Sequence, residues 1–443
     1  MPGPYVVRVH GDEDLPEKVD VVVVGGGIIG ASTALELAER GLKVALCEKG
    51  GIGQEQSSRN WGWVRISRRD PREVPLMAEA LRLWSGFDQR LGRDTGYTRA
   101  GILFTAPDDK SYEENERWLQ NLEGYQLESR MISGKELDDL LPGGHLPLKG
   151  ALYTPVDGRA EPQKAAPAIA EAARDKGASI FTECAVRGIE TTGGKISGVV
   201  TERGTIGCSA VVLAGGAWSN LFCGLYGIDL PQLKVLNTVI RTKPLQGGPE
   251  TALWSKDFAI RKRQDGGYTI ASGHENIVDI VPKSFRYARQ FLPALKLEWN
   301  SLSFRLGGRF FDEARMPAKW KMDEASPFEY HRVLDPKPSL DLSNRFFDSL
   351  KAAFPVFNQA EIAQRWAGYI DATPDAIPVI SAVDEIPGFH IATGFSGHGF
   401  GIGPAAGRLM ADIVTGRAPV VDAAAFRFSR FSDGSKITPI TGF

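Results

Sequence analysis

Val21-Val22-Val23-Val24 is an unbroken β-branched run with no polar position to expose, which predicts a strand buried on both faces of a parallel sheet. Gly25-Gly26-Gly27-Ile28-Ile29-Gly30 follows it. From 31 to 40 the apolar positions take helical spacing, with Ala34, Leu35 and Ala38 inward, and Gly41 supplies the stop. Val44-Ala45-Leu46 is the next strand, ending at Glu48, so the segment is one βαβ unit. Helices are predicted at about 75–87 and 161–176, and short strands at 101–105 and 179–181. A hairpin is marked by Gly193-Gly194, and a second fully apolar strand, 210–214, runs into Gly215-Gly216. Between about 231 and 365 the texture is β-rich and aromatic, with Pro and Arg scattered through it. Val379-Ile380 and Phe389-His390-Ile391-Ala392 are the last strands. A glycine-rich loop over 394–403 leads to Pro404 in the place of a first helical residue, and 405–414 is helical.

The spacing Gly25-x-Gly27-x-x-Gly30 lies between a buried strand and a helix, with an acid, Glu48, 18 residues after Gly30. In that context Gly25 permits a tight turn, Gly27 admits backbone close to a pyrophosphate, and Gly30 lets the helix approach the strand. The pyrophosphate would sit at the positive helix end and Glu48 would accept from the adenosine ribose. The motif alone does not choose between NAD and FAD.

Composition narrows the classes. Of 443 residues 42% are hydrophobic and 24% charged, which excludes wholesale disorder, and 52 basic against 54 acidic residues argues against nucleic-acid binding. The four cysteines show no CxxC spacing and read as reduced thiols; the six histidines form no HxxxH or HExxH pair, so no metal site is expected. No apolar stretch is long enough to span a bilayer and the first twenty residues do not read as a signal peptide, so the expected location is cytoplasmic.

The glycine fingerprint, Ser57-Ser58-Arg59-Asn60, the segment VVLAGGAWS (211–219) and FSGHGFGIGPAAGRLMADIVTG (395–416) together resemble the D-amino acid oxidase superfamily. Within it the chain is most similar to the sarcosine oxidase and glycine oxidase branch, near the iminodiacetate and opine oxidases. The resemblance implies an α/β chain, α+β overall. A Rossmann-type FAD domain would be built from 15–96, 156–230 and 362–443, with a β-rich substrate domain from 97–155 and 231–361 inserted. It further implies cofactor contacts from Gly25, Gly27, Ile28, Ile29, Gly30, Glu48 and Lys49 at the first turn, and from Ser57, Ser58, Arg59, Asn60 and Trp61 in the next loop. Val186, Ala214, Gly215, Gly216, Trp218 and Gly368 would add to these, as would Gly397, His398, Gly399, Phe400 and Gly401 along the flavin. The dipole of the last helix would stabilise negative charge there, and His398 reads as structural rather than as a proton shuttle.

The chain also departs from its relatives. Thr373-Pro374-Asp375 keeps a motif before which sarcosine oxidases carry the cysteine that attaches flavin; here that position is Gly368, so FAD is expected to be non-covalent. The carboxylate-clamping arginine of the glycine oxidase branch is Ile370, and two lysines of sarcosine oxidases are Ile270 and Gly401. Arg65 falls on a carboxylate-binding arginine of sarcosine oxidases and is the expected anchor, with His274 and Tyr369 as further candidate catalytic residues. Arg68, Arg69 and Arg72 read as a solvated basic loop. Arg59 lies over the ring or binds phosphate, and Trp61 and Trp63 wall the flavin or fill the core.

The implied reaction is FAD-dependent oxidation of the C–N bond of a small amino acid or secondary amine carrying a carboxylate, such as sarcosine, iminodiacetate or an opine. It would proceed by hydride transfer to flavin N5, giving an imine that hydrolyses, with O2 as acceptor. The alternative is a D-amino acid or 2-hydroxy acid dehydrogenase that passes electrons to a quinone or carrier. An NAD-dependent dehydrogenase and a non-catalytic flavin binder are the more distant readings.

Overall fold

The computed structural model describes residues 3–440. The elements that build the site are, in chain order, β1 (Val21–Val24), α1 (Ile28–Glu39), β2 (Val44–Cys47), α2 (Val74–Ser85), α3 (Pro162–Asp175), β3 (Ser179–Phe181), β4 (Ala210–Leu213), β5 (Leu233–Thr242), β6 (Ile362–Ala372), β7 (Val379–Ala382), β8 (Phe389–Thr393) and α4 (Gly399–Thr415).

A six-stranded sheet has the order β7-β8-β4-β1-β2-β3, parallel except for the β7–β8 pair. The β1 valines explain its position. Val21 and Val23 enter one apolar cluster with α1, α2, α3 and α4, while Val22 enters another with Phe222 and Phe389. Both faces being covered, no residue of β1 needs to be polar. Gly193 and Gly194, both at positive φ, turn the hairpin Val186–Thr192/Lys195–Thr201, whose small sheet covers the second face.

α1 is buried from Ile28 through Ala38, as a helix held between a sheet and other helices must be. It crosses α4 closely because Gly407 has no side chain: a Cβ there would lie 2.5 Å from Ser32 Cβ.

A ten-stranded sheet forms the other half, running from Leu302–Arg305 through β5 to Ile102–Ala106 and Arg130–Ile132. β6 pairs along β5, from Leu233↔Ala372 to Thr242↔Ile362. The strand after position 362 therefore lies in this sheet, and the six-stranded sheet resumes only at Val379.

Three expectations are corrected. The stretch after 231 is β-rich only as far as Asp279. Beyond it come the helices Pro282–Arg286, Ala288–Glu298, Gly308–Arg315, Pro327–Tyr330 and Leu340–Ala353, with Leu302–Arg305 the one strand among them. Pro282 and Pro327 begin helices, and Leu342, Phe346, Phe347 and Leu350 bury a helical stripe. α4 starts at Gly399, so Pro404 lies inside it; Trp84 Nε1 donates to Gly401 O at 2.7 Å and fixes that earlier turn. α1 likewise starts at Ile28, within the glycine motif.

Candidate active site

A crevice of about 290 Å³ runs from the β1–α1 turn, past the end of β4, to the N-terminus of α4 and the face of the ten-stranded sheet. At its first end Gly25 has φ +108°, and a Cβ there would lie 2.5 Å from Ala214 O. A Cβ on Gly30 would lie 1.9 Å from Gly25 O, so α1 packs on the turn only because both residues are glycine. Gly27 caps α1 without a side chain, and Ser57 Oγ accepts from Ile28 N at 2.8 Å. The Glu48 carboxylate accepts from Gly26 N (2.6 Å) and Gly50 N (2.7 Å), and burial pushes its pKa up.

Residues 331–335 form a strap across this end. Lys49 Nζ donates to the carbonyls of His331 (2.9 Å) and Arg332 (2.7 Å), and Arg332 Nη1 donates back to Lys49 O at 2.8 Å. Arg332 Nη2 also holds Glu202 at 2.5 Å, Leu334 N donates to Glu55, and the His331 ring stacks on Trp218. Arg59 closes the strap: it is buried and its Nη1 donates to Asp335 (2.6 Å) and Ala367 O (2.9 Å).

At the other end α4 presents its first turn without a side-chain cap, and Gly397, His398, Gly399, Phe400 and Gly401 line the crevice. A Cβ on Gly401 would lie 3.0 Å from Trp63 O, so a side chain there would press on the backbone of Trp63; one on Gly368 would meet Arg59 Cβ at 3.0 Å. Thr373-Pro374-Asp375 braces this region, with Asp375 gripped by Arg430 Nε (2.9 Å) and Nη2 (3.1 Å).

Four aromatic rings wall the space beside α4. Trp61 meets Trp63 edge-on at 5.2 Å, Trp63 meets Phe104 at 6.1 Å, and Phe104 stacks on Trp254 at 5.6 Å. Trp61 Nε1 donates to Asn237 Oδ1 at 3.1 Å, and its carbonyl accepts from Arg261, which is itself paired with buried Glu161. Arg65 lies among these rings, its guanidinium carbon 5.5 Å from the Phe104 ring centre. Among the described residues no carboxylate oxygen lies within 4.0 Å of it. Burial and then the neighbouring Arg69 push its pKa down to about 9. Its Nη1 donates to Ser67 O, and Asp157 and Glu73 supply negative charge nearby without pairing with it directly, so an arriving anion would give the buried guanidinium the direct partner it lacks.

The structure brings most of the sequence-predicted residues to this crevice: Lys49, Asn60, Trp61, Val186, Gly215, Gly216, Trp218, Arg65 and Tyr369 all line it, as do those named above at its two ends. Gly30 and Ser58 lie behind the lining. His274 is not brought in: its turn directs Nδ1 to Lys256 O at 2.6 Å, and Ser272 and Gly273 line the crevice instead. Tyr369 lies under Arg309, whose guanidinium carbon is 3.8 Å from the ring centre, and burial raises its pKa.

The basic loop is not solvated as expected. Arg69 is 2% exposed, Arg72 pairs with buried Asp70 at 2.7 Å, and Arg68 reaches the Glu114 carbonyl. Sequence reasoning also missed Phe104, Trp254, Asn237, Asn276 and Asp371, which line the crevice. They come from strands far apart in the chain, and no local spacing marks them. Asp371 is buried, accepts from Gly394 N at 2.8 Å, and is pushed up to about 6 by that burial.

Among the described residues no helix is long and apolar enough to cross a membrane. The sequence matches the family model DAO, FAD dependent oxidoreductase, over residues 20–413. Human mitochondrial sarcosine dehydrogenase is 24% identical over 97% of this chain but only 43% of its own length, so the chain spans under half of that relative. The sarcosine oxidase subunit beta of Rhodobacter capsulatus is 25% identical over 95% of the chain and 90% of that protein. Among solved structures, L-amino acid deaminase from Proteus myxofaciens in complex with anthranilate superposes with TM-score 0.94 at 36% identity, covering 98% of this chain and all of that one.

Proposed function

Since the chain belongs to the DAO family of FAD-dependent oxidoreductases, whose relatives here act on amines and amino acids, we propose that it oxidises the C–N bond of an amino acid whose carboxylate is held by Arg65. The observation that carries this reading is the buried guanidinium of Arg65, without a direct ion-pair partner among the described residues, inside a wall of four aromatic rings. The wall favours a substrate with a large apolar side chain over the smaller sarcosine or iminodiacetate. It leaves the carboxylate requirement unchanged.

The crevice fits FAD. α1 and α4, 12 and 17 residues long, both turn N-termini lacking a side-chain cap into it, at opposite ends. Such ends attract a pyrophosphate at one site and the electron-rich edge of a flavin at the other. The glycines at 25 and 27 keep the first of these approaches open. Glu48, Lys49, Trp218 and the 331–335 strap would hold the adenosine half, and Gly397 through Gly401 the flavin. Gly368, filled from behind by Arg59, offers no thiol, so the cofactor is non-covalent in this reading.

Bound FAD supplies a two-electron acceptor for the hydride on the carbon next to nitrogen. The chain's own residues do the rest. Arg65 orients the substrate through its carboxylate, and Trp61, Trp63, Phe104 and Trp254 exclude water from the reacting carbon. Arg65 and Arg69 disfavour an ammonium in this low-dielectric space, so the amine binds neutral and no side chain must take a proton from it. Water hydrolyses the released imino acid to a 2-oxo acid and ammonia. Dioxygen is the acceptor in this reading. The lack of a lysine at 270 and 401 favours the alternative of an electron carrier.

The test is anaerobic mixing of the FAD-loaded protein with aromatic and aliphatic amino acids of both hands, sarcosine, iminodiacetate and 2-hydroxy acids, read as flavin bleaching. Bleaching by an aromatic or branched amino acid is expected, with peroxide release in air if dioxygen is the acceptor. Arg65→Met removes a charge-assisted pair worth roughly 2–3 kcal/mol, so kcat/KM for carboxylate substrates falls about 30- to 150-fold. An unchanged kcat/KM in that variant overturns the reading.

A further inference from the structure

Behind Arg65 lies a fully buried polar cluster that neither the glycine fold nor carboxylate binding requires. Glu73, at the start of α2, is inaccessible, and its Oε2 lies 3.0 Å from Nδ1 of His398, the residue that precedes α4. Arg69, 2% exposed, lies 3.7 Å from the same oxygen through Nη1. That 3.7 Å approach is an ion pair without a hydrogen bond; the other two nitrogens bond to main chain, Nε donating to Arg65 O and Nη2 to His398 O, each at 3.1 Å. One planar guanidinium thus joins two segments 329 residues apart in sequence, one carrying the candidate substrate anchor and the other the first turn of α4. Trp118 Nε1 donates to Arg69 O at 2.8 Å and fixes the arginine's own backbone.

We propose that Arg69 is a positioning residue that locks the substrate anchor Arg65 to the cofactor-facing end of α4, with Glu73 and His398 holding its guanidinium in place. This rests on the reading of Arg65 given above. The fork of an arginine is rigid, so bonds to two carbonyls fix the distance and angle between the segments that own them. Hydride transfer is sensitive to that relation, because the reacting atoms must approach within about 3–3.5 Å in line. Glu73 supplies the counter-charge that keeps Arg69 buried, and through His398 it touches the same loop. Lysine in place of Arg69 keeps the charge but offers one ammonium, which cannot hold both carbonyls in one plane.

The test compares FAD-loaded wild type, Arg69→Lys, Glu73→Gln and Arg65→Met, using benzoate binding read from the flavin spectrum and steady-state kinetics on the best substrate. For Arg69→Lys the expected result is a tenfold or greater loss in benzoate affinity together with a tenfold or greater fall in kcat at saturation. Glu73→Gln shifts both in the same direction by a smaller factor, and it carries the test if Arg69→Lys does not retain FAD. A rise in KM with kcat and flavin spectrum unchanged would make Arg69 a mere second cation and overturn the lock, as would no change in either quantity. Full benzoate affinity in Arg65→Met would instead sink the assignment of the anchor, which separates the two failures.

Discussion

Asp157 receives three donors, Ile66 N at 2.7 Å, Ser67 N at 3.3 Å and the Ser67 hydroxyl, yet burial outweighs them and pushes its carboxyl up to about 6. In the unfolded chain it ionises near ~3.9. Between those values the folded state binds the extra proton, so stability falls as pH rises from about 4 to about 6, by at most roughly 3 kcal/mol for this group. Asp157→Asn is expected to flatten that slope, measured as urea midpoints at pH 4.5 and 7.5. Glu161 runs the other way: its pair with Arg261 holds it down at about 2, so its contribution is lost only as pH falls below about 4.5. Residues such as Gly25, Gly27 and Arg65 were legible in the sequence because their chemistry is local or carried by resemblance. Arg69 was not. A run of arginines beside one aspartate looks solvated until the fold shows that Glu73, His398 and two carbonyls enclose it.

At the level of elements, α1 and α4 cross at Gly407 with no room for a side chain. Gly407→Val is expected to destabilise the protein by about 1–3 kcal/mol through overpacking, seen as a lower Tm whether or not FAD is present. The strap makes a different prediction. Asp335→Asn combined with Glu202→Gln removes two of its ionic ties, to Arg59 and Arg332. FAD is expected to dissociate several-fold faster, followed by recovery of flavin fluorescence on dilution, with little change in Tm of the cofactor-free protein. The valine run of β1 and the glycine turn were readable because their pattern admits one answer. The start of α4 was misplaced because a proline imitates a helix beginning, while Trp84, distant in sequence, holds the turn before it. The helices between 282 and 353 were hidden by aromatic and arginine residues that suit either periodicity.

Taken whole, the described residues build two large sheets, with two three-stranded ones beside them, and the strands of the large sheets alternate along the chain, which is why the overall class was readable and the lining of the crevice was not. Trp61, Phe104, Asn237 and Trp254 meet only through that alternation. The six-stranded sheet carries a further consequence for biosynthesis. β1 is made nearly two hundred residues before its partner β4, and β8 comes later still. Until then a bare valine edge waits in a half-made polypeptide, ready to pair with another nascent chain. A chaperone that covers this edge until β4 arrives is therefore expected to raise the yield of folded protein.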